Sequence, residues 1–218
     1  TLVLDGSSSP VNLIASTYNN LTINKSDSAN TITANGDISV GGTLALTQGS
    51  LDAGSYTHTI AGNWDSSSSD FTFNQGSSTV VLSSANPSVT QKSSDNFYNL
   101  THSVEGTLSA QSDLYITGEL SNGAILALGT HSLSFVSYTG NGSDEITTTT
   151  GSLAATGDGG TIDTLTVATS ANINGGSGTD GIVITNAVSN EITSSGKVSL
   201  NGTGITDLTI SSGTLSAN

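Results

Sequence analysis

Apolar and polar residues alternate along this chain in short bursts: Leu21/Ile23, Ile38/Val40, Leu44/Leu46, Phe71/Phe73, Leu114/Ile116, Leu126/Leu128, Leu133/Phe135, Ile182/Ile184, Val198/Leu200 and Leu208/Ile210. A period of two turns one face of a strand inward. Gly, Asn, Asp or Ser closes each burst, as at Asn35-Gly36, Gly41-Gly42, Asn122-Gly123 and Asn201-Gly202, which are turn formers. No window carries an apolar stripe at i, i+3, i+4, i+7, so helix is expected to be close to absent. Many short strands with turns every few residues fit a parallel β-helix or a β-sandwich.

Internal repetition favours the β-helix. Thr1-Leu2-Val3-Leu4, Pro10 and Tyr18-Asn19-Asn20-Leu21-Thr22 return as Thr79-Val80-Val81-Leu82, Pro87 and Phe97-Tyr98-Asn99-Leu100-Thr101. Asp37-Ile38-Ser39-Val40 returns as Asp113-Leu114-Tyr115-Ile116, and residues 54–60 return as 129–135. A sandwich has no reason to repeat itself at that distance, whereas a coil of stacked turns does. The expected architecture is an all-β parallel β-helix, or β-solenoid, of about nine turns. It forms one domain, 1–218, built of units 1–78, 79–150 and a diverged 151–218. Each unit of the first two is expected to hold about three turns.

The run Gly42-Thr43-Leu44-Ala45-Leu46, then residues 49–64, Phe71-Thr72-Phe73, residues 78–82 and Phe97-Tyr98-Asn99-Leu100-Thr101, resembles the repeats of large bacterial and archaeal surface proteins of adhesin-like and filament-like kinds. It covers 1–138 closely and 151–218 loosely. The resemblance implies a parallel β-helix in the manner of autotransporter passengers, an extracellular structural or adhesive role, and no catalytic residues to carry over.

Composition narrows the chemistry. With 3 Lys+Arg against 17 Asp+Glu the formal charge is −14, so no basic surface exists for nucleic acid or an anionic membrane. No apolar run is long enough to span a bilayer. Cys is absent, which excludes disulfides, a thiol nucleophile and a Cys-based zinc site. Leu, Ile, Val and Phe together number 51 of 218 residues, enough for a thin core; Ser and Thr number 71, a neutral-polar surface that points outside the cell. A chain opening at Thr1 rather than Met is expected to be processed or a segment of a longer protein.

Few residues suggest a reaction. The acidic pairs Asp65/Asp70 and Asp158/Asp163 are the candidate acids of a third reading, a carbohydrate-active β-helix enzyme, but they are read mainly as turn formers, and with no Arg in the chain an enzyme is not expected. His58 and His131, set at like places in the two units, and His102 are read as packed or surface turn residues. Residues 175–183 match the Gly-rich calcium nonapeptide G-G-x-G-x-D-x-U-x, and 139–147 match it except at the first Gly. Calcium is thus the one candidate cofactor, with Asp144, Glu145 and Asp180 as its ligands and Asp158 and Asp163 as auxiliaries. Thr pairs such as Thr31/Thr33 and Thr57/Thr59 suggest a flat Thr array, although in sequence they do not align as a ladder.

The ends of a solenoid expose unpaired strand edges. Leu2 and Leu4 at one end and Leu208, Ile210 and Leu215 at the other are candidate joint residues for head-to-tail assembly into a fibre, the partner being a second copy or a neighbouring repeat. An adhesin that binds glycan through a lateral face is the alternative reading.

Overall fold

The computed structural model describes residues 1–176, 181–200 and 204–217; side chains are described through residue 176, for 181–185, and at Ser195, Val198 and Ser199. The described chain is all-β, with twenty-one strands and no helix among the described residues. Every strand pairing between them is parallel, and the pairings resolve into three ladders that form the three sides of a coil. Ladder one begins with Leu2–Leu4 and Leu21–Asn24 and runs through Thr107–Ala110, Ile125–Gly129 and Glu145–Thr148. Ladder two carries the start of Val11–Tyr18, then Phe71–Asn74, and later Leu114–Tyr115 and the start of Leu133–Gly140. Ladder three is continuous: Ser16, Ile38, His58, Val80, Leu100, Leu120, Tyr138, Gly160 and Ile182 stand one above another. About nine turns stack in this way, and pairing of Gly181–Leu200 with Gly204–Ala217 carries the coil onward.

The alternation read from sequence builds the core directly. On each side, alternate residues point into a narrow interior filled by stacked aliphatic positions such as Leu114, Leu133, Leu153 and Ile173, all fully buried. Several strands are longer than the bursts, because Thr31–Val40, Ser152–Val167 and Gly181–Leu200 bend around corners without losing strand pairing. In ladder two the stack is interrupted. Residues 91–96 cross ladder two as a loop, and the gap is filled by Trp64, Phe73 and Phe97, whose ring centroids lie 4.7 to 6.0 Å apart. Beside them Lys92 closes an ion pair on buried Asp95 at 3.7 Å.

The repeat does not map onto whole turns, as the sequence led one to expect. Leu2–Leu4 lies in the first level of ladder one, but its echo Thr79–Leu82 lies in the fourth level of ladder three. Asp37–Val40 in ladder three is echoed by 113–116 in ladder two. A turn takes about 20 residues, so a unit of 75 to 78 advances the coil by three turns and two sides, not three turns. The hydrogen bonds confirm this equivalence. Asn20 Oδ1 accepts from Thr43 N at 2.8 Å, and Asn99 Oδ1 accepts from Glu119 N at 2.8 Å. Asp37 Oδ1 accepts from Thr57 N at 2.9 Å, and Asp113 Oδ1 accepts from Ser132 N at 2.8 Å. The same corner caps therefore recur on different sides of the rod.

That geometry also corrects one sequence expectation and adds a feature that the sequence did not show. His58 is buried in ladder three and matches Leu133 of the second unit, while His131 matches Tyr56 and lies half-buried near Asp113. The Thr pairs named from sequence do not stack as one ladder, since Thr31 and Thr33 stand on Ser50 and Asp52, but Thr17, Ser39, Thr59, Val81, Thr101, Ser121, Thr139, Thr161 and Val183 form one uncharged outward row along ladder three. The row draws on different motifs in successive turns, which hides it from a search for a repeated motif.

Candidate functional site

Two places stand out from the regular stack: the open first turn and a groove over Tyr138 and Asp144. In the first turn Leu2, Leu4, Val11 and Tyr18 point inward yet remain half-exposed, whereas their ladder successors Leu21, Ile23, Ile32 and Val40 are buried. The interior is thus partly uncovered at this end, although Leu13 of the same turn is buried. Its backbone is unpaired on the same side. Leu2 N donates to Asn20 O at 2.8 Å, toward the second turn; residues of a parallel strand alternate in direction, so the N–H and C=O of Val3 face the open edge. Val3 is 50% exposed and Ile14 is 65% exposed, adding apolar surface beside that edge.

Of the predicted joint residues, Leu2 and Leu4 sit here on ladder one. Leu208 and Ile210 lie on ladder two and Leu215 on ladder three in the last strand, where the backbone alone is described. The structure therefore puts the two sets at opposite ends of the coil and on different sides. A joint that continues the ladders would set Leu208 and Ile210 over Val11–Leu13, not over Leu2 and Leu4. The contribution of Val11 and Tyr18 was missed because a sequence motif does not show which inward positions lack a turn above them.

The groove is built by turns seven and eight and lined by Tyr138, Gly140, Asp144, Gly160, Thr161 and Asp163 among others. Asp144 sits in the corner after Leu133–Gly140 and turns its carboxylate into the coil. It is 1% exposed, and a Cβ at residue 140 would stand only 1.9 Å from its Oδ1, so only glycine leaves room there. Tyr138 Oη donates to Asp144 Oδ2 at 2.5 Å, and Asp163 N donates to the same oxygen at 3.3 Å. Asn122 Nδ2 donates to Tyr138 Oη at 3.3 Å, leaving buried Asn122 Oδ1 without a partner. Burial, then the bond to Asp144, pushes the Tyr138 phenol well above its ordinary range.

The predicted calcium set is only partly assembled. Glu145 faces outward on ladder one, where Oε1 accepts from Thr166 Oγ1 at 2.7 Å, because successive strand residues point to opposite faces. Asp158 is exposed and is not among the residues lining the groove. Asp180 lies outside the described residues. Asp163 does reach the groove. Among the described residues no three His, Asp or Glu side chains gather as a ready-made metal cage.

The other candidate chemistry resolves into structure. Asp65 Oδ1 accepts from Ser67 N and Oγ, forming a turn, and Asp27 and Asp52 make the same i to i+2 bond. His58 Nε2 lies 3.0 Å from Ala53 O, and His102 Nε2 lies 3.2 Å from Ser84 O. Comparison with protein-family models, curated proteins and solved structures returned no match.

Proposed function

We propose that this protein is an extracellular structural element, a subunit or segment of a surface fibre that extends end to end through its exposed strand edges. The observation that carries the reading is the first turn, where half-exposed inward side chains (Leu2, Leu4, Val11 and Tyr18) and the edge of Leu2–Leu4 offer a surface that a further turn, of a neighbouring repeat or of a second copy, would cover. Any turn of parallel strands in register would complete them, since that is the contact repeated between all the turns below. A head-to-tail contact uses two different surfaces and leaves both free again after each addition, so it propagates. A surface of Ser and Thr with few cations suits work outside the cell, and the role needs no reacting group.

Negative-stain microscopy and size-exclusion chromatography across a concentration series test this. Rods that lengthen in whole multiples of one chain are expected. Uniform single rods at every concentration would overturn it.

A lateral adhesive role is the second reading, favoured by the uncharged row from Thr17 to Val183 on ladder three. Retention on a glycan array that is lost when Thr59 and Thr101 are both changed to Lys would bring it forward.

A further inference from the structure

We propose that the rod carries a built-in hinge, a slot on ladder one between turns three and four that widens without breaking a strand hydrogen bond. Turn three contributes the first half of Leu44–Asp52 to ladder one, and turn four contributes Trp64–Asp65. The first pairs with Leu21–Asn24 of turn two and the second with Ser88–Thr90 of turn five, but no strand pairing joins the two to each other. Between the same turns the other two sides are closed. Residues 49–52 pair with Phe71–Asn74 on ladder two, and Thr57–Ile60 pairs with Thr79–Leu82 on ladder three. The slot has a volume of about 350 Å³, with residues 44–47 on one lip and Asp65, Ser67 and Ser68 on the other.

The direction of the backbone shows what faces the opening. Leu21 N donates to Thr43 O at 3.0 Å, so Thr43 and Ala45 turn their peptide groups toward turn two, and alternation turns those of Leu44 and Leu46 toward the slot. On the other lip Ser66 N donates to Thr90 O at 3.0 Å, toward turn five, so the N–H and C=O of Asp65 face the slot. In a closed ladder these groups would bond each other. A side chain records the opening independently: Leu44 points inward in register with buried Leu21, in the third turn rather than at an end, yet it is only half-buried. The cause is local. Asp65 Oδ1 accepts from Ser67 N at 2.9 Å and from Ser67 Oγ at 2.6 Å, which turns the chain off the ladder after two residues.

Bending a solenoid widens one of its sides, and along a closed ladder that parts N–H···O=C bonds. At the slot the backbone groups have no ladder partner to lose. The rod therefore bends there first, with ladder one on the outside of the curve and the corner between ladders two and three on the inside. The interruption of ladder two is not a second hinge, because residues 91–96 bridge it: Lys92 Nζ donates to Phe71 O of turn four, and Tyr115 N of turn six donates to Gln91 Oε1 at 3.3 Å. Contacts at both ends of the slot limit its closing. A Cβ at residue 62 would stand 2.8 Å from Gly42 O, and Ser68 Oγ donates to Thr47 O at 2.7 Å. The chain is thus a stiff rod with one compliant point, which takes up load by widening a slot rather than by unfolding a turn. The device belongs to the single chain and does not rest on end-to-end assembly.

Hydrogen exchange and spin-label distances test it. The amides of Leu46 and Asp65 should exchange at least about tenfold faster than those of Ala53 and Thr79, which bond across the same two turns to Asn74 O and Tyr56 O. The chain has no cysteine, so introduced pairs label cleanly. Labels at Thr22→Cys and Thr147→Cys span five turns of ladder one, about 24 Å at the spacing of paired strands. They should give a broader distance distribution than labels at Ser39→Cys and Thr139→Cys, which span the same turns on ladder three. Ala45→Cys with Asp65→Cys, oxidised across the slot, should slow exchange at Leu46 and Asp65, and reduction should restore it. Equal protection of the four amides, or equal widths for the two label pairs, would overturn the hinge.

Discussion

At the scale of single residues, the polar groups inside the coil set its response to pH. His58 stands between Ile38 and Val80 in ladder three, and burial lowers its pKa below the ordinary 6.5, opposed by its bond to Ala53 O and by Asp37. The folded state therefore binds a proton less readily than the unfolded chain, and the stability His58 contributes is present above about pH 6.5 and lost as pH falls toward its folded pKa. Melting temperature should drop on acidification through that window, and His58→Leu should flatten the drop. Asp95 behaves in the opposite sense. Burial raises its pKa above 3.8 despite Lys92, and its Oδ2 has no partner. Its contribution is present below pH 3.8 and lost as pH rises through the raised value. Asp95→Asn should therefore raise the melting temperature at neutral pH and change little in acid. The aliphatic stack is sensitive in the usual way: Leu100→Ala, at a fully buried site, should cost about 2 to 5 kcal/mol in denaturant unfolding.

At the scale of elements, the corner caps explain the Gly-Thr-Leu and Gly-Glu-Leu motifs. Asn20 reaches forward one turn to hold Thr43 N, and a Cβ at residue 42 would come within 2.4 Å of its Oδ1; Asn99, Gly118 and Glu119 repeat the arrangement at 2.5 Å. Asn and Gly thus interlock across turns about 20 residues apart in sequence. The two caps are equivalent in the repeat but sit on ladders one and three. Asn20→Ala and Asn99→Ala should therefore each destabilise the fold by about 0.5 to 2 kcal/mol, the range for losing a capping side chain. Markedly unequal costs in chemical unfolding would mean that the repeat is not an energetic unit. Ladder two shows the converse case. Where residues 91–96 interrupt it, three aromatic rings replace strand pairing, and the sequence there departs from alternation.

At the scale of the molecule, each turn contacts its neighbours along the axis, so stability is close to a sum over turns and interfaces. A turn at the open end has one interface and a central turn has two. Hydrogen exchange should be fastest in Leu2–Leu4 and Val11–Tyr18 and slowest in central strands such as Asn99–His102 and Leu114–Tyr115. Slow exchange at the first turn under assembly conditions would mark the joint forming. Val3→Pro removes an N–H that faces the open edge and leaves the bond from Leu2 to Asn20 in place. It should shorten fibres without lowering the melting temperature of the rod.

Strand content, the inward set and the stacked-coil class were legible in the sequence, because alternation and turn residues are local consequences of backbone geometry. So was the turn-forming role of Asp65. What the tertiary structure alone decided is how those local pieces come into register. The length of a turn depends on how corners pack, so a 75-residue echo reads as three turns until the ladders show a further two sides. For the same reason Thr59 meets Thr101 through Val81, Glu145 faces away from its neighbour Asp144, and Asp163 arrives beside it from the next turn. Neighbours along a chain are set by covalent spacing, while neighbours along a solenoid are set by parallel pairing between residues about 20 positions apart, and the candidate site lives in the second kind of contact.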